Sequence, residues 1–385
     1  MSKTPPDKPH ILFLFSDTGG GHRSAAEAII EAIGLEFGDQ ISTEMVDIFL
    51  QYAPPPINLA PRIYPTLSRL PDLWELGYRI SDGKRRTRFA YTMLWPYVRR
   101  SLDRLLLEHP ASLVVSVHQL INTPVSRAAK KLGVPFITVV TDLVSTHAAW
   151  YCNQADMVVV PTEEAFQRGL EMGLNPTQMR VVGLPVADRF CQPLADERVL
   201  RERLGWRQDL PAAVLVGGGE GMGPLAATAR AIDEAHLPLQ LIIVAGRNRA
   251  LKEQLERMRW QIPVKVYGFV TEMPDFMRAA DILITKAGPG TICEAFIAGL
   301  PLILYSKMPG QEDGNVDFVV QHGAGVWAPQ PGLVVRALQH WLRRPEERLK
   351  TAQIALKLGR PQAAREIAHL LVEQARRQST SKIRV

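Results

Sequence analysis

The sequence has few cysteines and no long hydrophobic run. Its three cysteines, Cys152, Cys191 and Cys293, lie far apart and form no C-x-x-C pair, so neither a disulfide framework nor a zinc site is predicted. No apolar run reaches the roughly 18 residues that a membrane-spanning helix needs. Residues 1–10 are polar and contain proline, unlike the basic and then apolar start of a secretory signal. We therefore expect a protein of the reducing cytosol.

The chain is long enough for two domains. Of its 385 residues, 46% are hydrophobic and 22% charged, which excludes disordered, collagen-like and disulfide-scaffold chains. Apolar runs of strand length alternate with helical stretches from Ile11 onward, a pattern typical of a parallel sheet with helices on both faces. The pattern restarts after Val186. We predict two doubly wound, Rossmann-like α/β domains, residues 1–190 and 191–385, facing a cleft, with a terminal helix in the second domain.

The positive charge is concentrated in one segment. The net charge is +6, and the segment from Arg62 to Arg104 holds ten basic residues against four acidic ones, with aromatic residues among them. Aromatic rings beside Lys and Arg suit the headgroup region of an anionic membrane. Two alternatives remain open, a nucleic-acid surface and a solvated helix pair whose aromatic rings lie in the core.

Three predicted strand-to-helix junctions are rich in glycine. They are SDTGGGHR at residues 16–23, GGGEGMGP at 217–224 and TKAGPGT at 285–291. Glycine lets the backbone approach a ligand, and the following helix offers N–H groups and the positive end of its dipole, so each loop can hold a phosphate. None fits G-x-G-x-x-G or G-x-x-x-x-G-K-[ST]. This argues against a dinucleotide dehydrogenase and a P-loop NTPase.

A histidine follows the first glycine run. His22 lies where a predicted helix begins, and there the helix dipole disfavours the imidazolium ion. A neutral imidazole can accept a proton as a general base, whereas the alternative is a capping or surface histidine. Asp17, Asp142 and His147 also follow predicted strands of the first half and compete for the same role.

Two further sites have both a structural and a functional interpretation. Residues 291–294, TICE, fit a T-x-x-E capping box that would fix a helix start. Glu294 in that position can instead accept hydrogen bonds from a ribose diol. Gln311, Glu312 and Asn315 place amides and a carboxylate in one loop, a set that suits sugar hydroxyls or an ordinary turn.

At these loops the chain resembles the monogalactosyldiacylglycerol synthase and diacylglycerol glucosyltransferase family, which is related to the N-acetylglucosaminyltransferase that completes lipid II. The matching stretches are DTGGGHRSAAEAI (17–29), GGGEGMGP (217–224) and TKAGPGTICEAFIAGLPLIL through PGQEDGNV (285–316). The resemblance implies a GT-B fold. It also implies an inverting transfer of a hexose, galactose in preference to glucose, from a UDP-sugar to the sn-3 hydroxyl of 1,2-diacylglycerol, giving a β-monoglycosyldiacylglycerol.

The resemblance implies roles for residues of the first half. His22 matches the general base, which is the one catalytic residue expected. Membrane contact is expected from Arg85, Arg86, Arg88 and Trp95. Residues expected to contact the lipid acceptor are Asp17, Gly20, Gly21, Asp142, His147 and Trp150.

The resemblance places the donor site in the second half. No metal and no cofactor are expected, since the UDP-sugar is itself the donor substrate. The expected donor-binding residues are Gly218, Gly219, Gly221, Arg247, Asn248, Gly268, Phe269, Val270, Lys286, Gly288, Gly290, Thr291, Glu294, Gln311, Glu312 and Asn315.

The implied partners are a UDP-hexose, diacylglycerol and anionic membrane lipids such as phosphatidylglycerol, but no nucleic acid. The start of the chain is short, and Gln119 follows His118 where plant enzymes carry proline. We therefore expect an enzyme of bacterial type, cytoplasmic and peripheral on the inner face of the plasma membrane. Two alternatives stay open: an enzyme similar to UDP-sugar 2-epimerases, and a non-enzymatic sensor of nucleotide sugars or lipids.

Overall fold

A computed structural model describes residues 8–17, 20–67, 70–193, 196–221 and 223–383. The chain divides into two units. The first unit comprises Met1–Asp188, Pro309–Gln311 and Gln362–Val385, and the second comprises Arg189–Met308 and Glu312–Pro361. Some residues of the predicted glycine loops and cationic segment lie outside the described residues: Thr18, Gly19, Ser68, Arg69 and Met222.

The first unit contains a six-stranded parallel sheet in the order β2-β1-β3-β4-β5-β6. Side chains alternate between the two faces of a strand, so Leu12 and Leu14 of β1 belong to one core cluster whereas Ile11 and Phe13 belong to the other. Such burial on both faces explains why the strands are apolar runs. The strands are β1 (His10–Phe15), β2 (Ser42–Asp47), β3 (Leu113–Ser116), β4 (Phe136–Val139), β5 (Met157–Val160) and β6 (Met179–Val181).

The second unit contains a parallel six-stranded sheet in the order β12-β11-β10-β7-β8-β9. Counted from β7, this is the 3-2-1-4-5-6 order of a doubly wound, dinucleotide-type sheet read from its other edge. The predicted doubly wound α/β class is thus confirmed in both units. The strands are β7 (Ala212–Val216), β8 (Gln240–Val244), β9 (Val264–Tyr267), β10 (Ile282–Lys286), β11 (Leu302–Ser306) and β12 (Gly325–Trp327).

Helices connect successive strands and cover the sheets. None of the described helices is both long enough and apolar enough to cross a bilayer. The helices are α1 (Gly20–Phe37), α2 (Ile48–Gln51), α3 (Ala60–Leu67), α4 (Pro71–Ser81), α5 (Lys84–Glu108), α6 (Asn122–Lys131), α7 (Glu163–Glu171), α8 (Asp188–Cys191), α9 (Glu197–Leu204), α10 (Leu225–Glu234), α11 (Arg249–Glu256), α12 (Met273–Ala279), α13 (Pro289–Ala298), α14 (Asp313–Gln321), α15 (Pro331–Arg343), α16 (Pro345–Leu358) and α17 (Ala363–Ile383).

The terminal helix α17 belongs to the first unit, so its predicted place in the second domain is wrong. Its apolar face, which includes Ile367, Leu371 and Val372, is fully buried in one core cluster with Ile29 and Ile33 of α1. The prediction failed because an amphipathic pattern indicates a helix but not the sheet on which it packs. Here the apolar face is buried against α1. The first unit therefore contains both the start and the end of the described chain.

Candidate active site

The three predicted glycine-rich loops follow strands at the point where the strand order of each sheet reverses. This point lies between β1 and β3 in the first sheet and between β7 and β10 in the second. The loop that leads to His22 follows β1, and His118 follows β3. In open α/β sheets such a point forms a crevice beyond the carboxyl ends of the strands, where ligands bind. Each unit therefore has its glycine-rich loops where its fold favours a ligand.

In the first unit, His22 lies in the first turn of α1 and is buried among polar and aromatic groups. Its Nδ1 lies 2.8 Å from Oγ1 of Thr141, which follows β4. The ring centroid of His118 is 4.6 Å away and that of Trp150 is 6.0 Å away. The position after three glycines predicted His22, whereas Thr141 and His118 were not predicted as site residues. The sequence feature that could have identified them is a polar residue just beyond an apolar strand.

The contacts of the Thr141 hydroxyl favour a proton on Nδ1 of His22. Its Oγ1 lies 3.4 Å from the Val117 carbonyl oxygen, to which it donates because a carbonyl only accepts. The same oxygen then accepts a hydrogen bond from Nδ1–H of His22. This tautomer leaves the lone pair of the neutral ring on Nε2, which is the arrangement that a general base requires.

Burial keeps the His22 ring neutral. It lowers the pKa of His22 from 6.5 to about 4, while a hydrogen bond with the Val117 backbone raises it in part. Burial also holds the pKa of His118 well below its ordinary value, and repulsion from a protonated His22 would lower it further. The helix dipole was the expected cause of a neutral ring at residue 22. The larger cause in the structure is desolvation.

The two aspartates that competed with His22 have partners of their own. Asp17 accepts two hydrogen bonds from the Arg23 guanidinium, 2.7 and 2.6 Å long. Asp142 is buried and accepts from Trp150 Nε1 at 2.7 Å. It also accepts from Gln311 Nε2 at 3.1 Å, and Gln311 belongs to the first unit. Both carboxylates therefore position neighbouring side chains.

His147 is tied to helix α4. Its Nε2 lies 3.2 Å from Ser81 Oγ, and its Nδ1 accepts from the Ala149 backbone N–H. The ring also packs edge-on against Tyr78, with centroids 5.1 Å apart. His147 therefore fixes the segment that leads to Trp150 and has no described contact with the ring of His22.

In the second unit, two of the glycines are required by the fold. Gly221 has φ +61°, and a Cβ built there would lie 2.3 Å from the Ala245 carbonyl oxygen. Gly246, also at φ +61°, would place a Cβ 2.4 Å from the Gly219 carbonyl oxygen. These glycines let the loops after β7 and β8 approach each other, where Arg247 N–H donates to the Gly219 carbonyl at 2.8 Å.

At three other positions of the described structure, the fold does not require glycine. A Cβ on Gly20, Gly21 or Gly290 would meet nothing within 4 Å, and all three lie in the first turn of a helix. Glycine in a helix is less favourable than alanine by roughly 1 kcal/mol. Close approach of a ligand to the backbone explains glycine at such positions.

The loop after β10 is held by charged and amide side chains of the second unit. Lys286 forms an ion pair with Glu312, whose other oxygen accepts from the Met308 N–H at 2.7 Å. Asn315 Nδ2 donates to the Ala287 carbonyl at 2.9 Å. A Cβ on Gly288 would lie 3.5 Å from Lys286 Nζ. Glu312 and Asn315 therefore stabilise the loop through an ion pair and hydrogen bonds. Lys286 places a cation beside the glycines of the loop.

Helix α13 begins earlier than the T-x-x-E pattern predicted. Its N-cap is Gly288 and its first residue Pro289, because proline has its φ pre-set for the first helical position and lacks the N–H that would stay unbonded there. Thr291 and Glu294 lie inside the helix, so the capping-box interpretation is wrong. Burial raises the pKa of Glu294 to about 7, and the charge of Arg189 lowers it only in part.

The remaining predicted donor residues lie near the loops after β7, β8 and β9. The Arg247 guanidinium lies 4.5 Å from the centroid of the exposed Phe269 ring and donates to Glu220 at 2.9 Å. Asn248 caps α11 by accepting from the Leu251 N–H. Other described members of the set are loop residues that are half-buried or exposed: Gly218, Gly219, Gly268 and Val270.

The four residues predicted for membrane contact differ in exposure. Arg85, Arg86 and Arg88 are exposed on α5. Arg86 donates to the carbonyl oxygens of Arg79, Ile80 and Asp82 at the end of α4. Trp95 is half-buried, with the Arg127 guanidinium 4.3 Å from its ring centroid. Large apolar side chains are exposed on the same helices: Leu73, Leu76, Ile80, Phe89, Met93 and Tyr97.

Known families match both units. The family model of monogalactosyldiacylglycerol (MGDG) synthase matches residues 22–186, and that of the glycosyltransferase family 28 C-terminal domain matches residues 213–367. The probable MGDG synthase, chloroplastic, of Nicotiana tabacum is 39% identical, over 98% of this chain and 73% of the relative. MGDG synthase 1, chloroplastic, of Arabidopsis thaliana is 37% identical, over 97% and 73%.

Solved structures show the fold. MurG of Acinetobacter baumannii has a TM-score of 0.61 at 17% identity, covering 95% of this chain and 99% of that one. The glycosyltransferase of kitacinnamycin reaches 0.62 at 16%, covering 96% and 99%. S. aureus MnaA, solved with UDP, reaches 0.61 at 14%, covering 93% and 94%. These likenesses confirm the predicted GT-B fold.

The predicted location is wrong. We expected an enzyme of bacterial type on the inner face of the plasma membrane, but the relatives with 37–39% identity are named chloroplastic. The short start and Gln119 were weak signals, because neither concerns the fold or the site. The predicted family and enzyme class, in contrast, are confirmed. The chain belongs to the monogalactosyldiacylglycerol synthase family and is a glycosyltransferase.

Proposed function

We propose that this protein transfers galactose, in preference to glucose, from a UDP-sugar to the sn-3 hydroxyl of 1,2-diacylglycerol. The hydroxyl oxygen attacks the anomeric carbon and gives its proton to Nε2 of His22, while the bond from that carbon to the diphosphate oxygen breaks and UDP leaves. Attack opposite the leaving group inverts an α-linked donor, so the product is a β-glycoside. The family supports diacylglycerol as the acceptor and galactose as the sugar.

The environment of His22 is the observation that carries this proposal. The ring is buried and neutral, and the contact with Thr141 favours a proton on Nδ1. Its Nε2 is therefore unprotonated at physiological pH and can accept a proton. The other ionisable candidates, Asp17 and Asp142, are hydrogen-bonded to Arg23 and Trp150.

On the donor side, we propose that the diphosphate binds at the glycine-rich loops of the second unit. The open space at Gly290 and the cation of Lys286 support this assignment, since N–H dipoles and a fixed cation stabilise charge on departing UDP. Backbone groups at Gly268–Val270 would bind uracil, and Glu294 the ribose diol. We propose a reaction that needs neither a metal nor a cofactor.

We further propose that α4 and α5 dock the enzyme on anionic membranes. The large apolar side chains exposed along these helices, from Leu73 to Tyr97, lie beside the exposed Arg85 and Arg88. Apolar side chains enter the interface while cations meet acidic headgroups. This combination supports a membrane surface over a solvated helix pair. Phosphatidylglycerol is one lipid that would supply the negative charge.

The test is an activity assay. Purified protein is incubated with diacylglycerol in vesicles that contain anionic lipid and with UDP-galactose or UDP-glucose, with and without EDTA. We expect a monogalactosyl lipid with a β-anomeric NMR signal, unaffected by EDTA. His22→Ala should lower kcat by about 10²–10⁴-fold, the range for a positioned general base, and leave the Kd for UDP unchanged.

Each other outcome has a defined meaning. The absence of glycolipid from both donors would contradict the proposal, as would full activity of the His22→Ala variant. Conversion of a UDP-sugar in lipid-free buffer would instead support the epimerase alternative. UDP binding without any turnover would support the sensor.

A further inference from the structure

Asn122, the first residue of α6, is a buried amide whose side chain does not cap its own helix. It is fully buried, and its Oδ1 has no hydrogen-bond partner among the described residues. Asparagine at the start of a helix ordinarily uses this oxygen to accept a backbone N–H. A buried amide oxygen without a partner destabilises a fold. Helix α6 by itself therefore gives no reason for asparagine at residue 122.

The amide nitrogen of Asn122 binds the segment that ends at Trp150. Nδ2 donates to the carbonyl oxygens of Ala149 and Trp150, at 3.2 and 3.3 Å. Because both partners only accept, the amide must present its nitrogen to them, which fixes its orientation. The Trp150 ring is fully buried and donates from Nε1 to Asp142 at 2.7 Å. Hydrogen bonds therefore hold both the backbone and the side chain of Trp150.

Asn122 joins the two rings that lie near His22. The ring centroids of His118 and Trp150 are 4.6 and 6.0 Å from that of His22. His118 precedes Asn122 by one short turn, residues 119–121, which the His118 side chain caps. A single segment therefore carries one of these rings and binds the backbone of the other.

We infer that Asn122 is a positioning residue, which holds the Trp150 ring near His22 and so keeps water away from His22. Its effect on catalysis rests on the proposed function, whereas the packing does not. Without the two hydrogen bonds of Asn122, residues 148–150 loosen and water reaches the His22 ring. Burial then no longer keeps that ring neutral, so it takes up a proton at a higher pH than in the parent.

The titration of His22 is the direct measure of this effect. Burial lowers the pKa of its ring to about 4. The other ionisable side chains on the elements near it are His118, Asp142, Asp47, Asp17 and Arg23. A change at residue 122 retains all of them. A different titration of His22 therefore reports the hydration of its ring.

The test compares Asn122→Leu with Ser126→Ala. Leucine has the same branching as asparagine but cannot donate. Ser126 lies one turn later on α6 and is also buried, and its hydroxyl has no hydrogen-bond partner among the described residues. NMR spectra of the full-length protein, labelled in its histidines, are recorded from neutral pH downwards, with the His22 signal assigned from His22→Gln. We expect His22 to titrate near pH 4 in the parent and in Ser126→Ala, and above about pH 5 in Asn122→Leu.

The glycolipid assay gives a second measurement. In Asn122→Leu, kcat/KM should begin to fall at a higher pH than in the parent, with the KM for UDP-galactose changed less than about twofold. A merely structural loss would lower activity equally at every pH. Asn122→Ala, which adds no bulk, takes the place of Asn122→Leu if the latter does not fold. Equal titration of His22 in the parent and in the Asn122 variant overturns the inference, whether or not sugar is transferred. Absence of glycolipid contradicts the proposed function alone.

Discussion

The burial of His22 has a consequence for stability that its catalytic role does not require. The unfolded chain protonates this ring near pH 6.5, whereas the folded chain does so only near pH 4. Between these values the unfolded state binds the extra proton, so stability falls as the pH is lowered. We expect this group to remove about 3 kcal/mol of unfolding free energy over that range. Below pH 4 both states are protonated and the effect ends.

Denaturant titrations at several pH values measure this effect. The parent should lose more stability than His22→Gln between pH 6.5 and 4, because the variant has no proton to bind there. His118 is present in both proteins, so the difference between their curves reports His22. Parallel curves would show that the ring is not desolvated in the folded chain.

Thr141 provides a second test at the level of single residues. In Thr141→Val the His22 ring loses its contact with the Thr141 hydroxyl, so the tautomer with a basic Nε2 is less favoured. We expect kcat to fall about tenfold to a hundredfold with little change in KM, by analogy with the range for general-base catalysis. Thr141→Ser keeps the hydroxyl and should retain most of the activity. Equal rates for the Val and Ser variants would remove Thr141 from the mechanism.

Helix α13 shows what local sequence patterns can and cannot predict. The T-x-x-E pattern predicted a helix with Thr291 as its N-cap, whereas the N-cap is Gly288, three residues earlier, because proline at residue 289 takes the first helical position. The glycine-rich loops were located correctly, because glycine after an apolar strand signals a turn. Glycine serves loop packing at Gly221 and leaves open space at Gly290. These two roles could be distinguished only from the folded backbone, not from the sequence.

This difference between the glycines gives opposite predictions for two alanine variants. Gly221→Ala should lower the melting temperature, because its Cβ would lie 2.3 Å from a carbonyl oxygen at a positive φ. Gly290→Ala should keep or raise it by helix propensity, a gain of roughly 1 kcal/mol. The Gly290 variant should nevertheless weaken UDP binding about tenfold, since its methyl group occupies the space of the phosphate. Calorimetric UDP binding equal to that of the parent would place the diphosphate elsewhere.

Helix α17 gives a prediction about how the units are stabilised. Leu371→Ala removes a fully buried side chain from the core that α17 shares with α1, and should cost about 2–5 kcal/mol. Hydrogen exchange should accelerate at β1 and β3 but not at β7 and β10. The exposed Glu373→Ala on the same helix is the control. Faster exchange in the second unit alone would contradict this assignment.

At the scale of the molecule, the sequence was sufficient for the α/β class, the two sheets and the position of His22. Their signals are local, since an apolar run or a glycine cluster is readable without its neighbours. The contacts that assemble the candidate site are not local. Thr141 and His22 are 119 residues apart in sequence, and nothing in either segment indicates the other. The ion pair of Lys286 with Glu312 was missed for the same reason.

The proposed membrane face is also tested on the whole protein. We expect Arg85→Gln with Arg88→Gln to weaken sedimentation with anionic vesicles but not with neutral ones, and added salt to act likewise. Arg86 is left unchanged, because its guanidinium holds the end of α4 and its loss would disturb the fold. Leu76→Ser with Ile80→Ser should weaken binding to both vesicle types. Unchanged sedimentation of both variants would return α4 and α5 to an ordinary solvated surface.

Because the terminal helix α17 packs in the first unit, that unit cannot complete its fold until the end of synthesis. A ribosome completes the strands of the first sheet long before residues 363–383 emerge, so the apolar side of α1 stays uncovered while the second unit is synthesised. A truncation that removes residues 363–383 would therefore uncover the helix that carries His22, at the opposite end of the sequence.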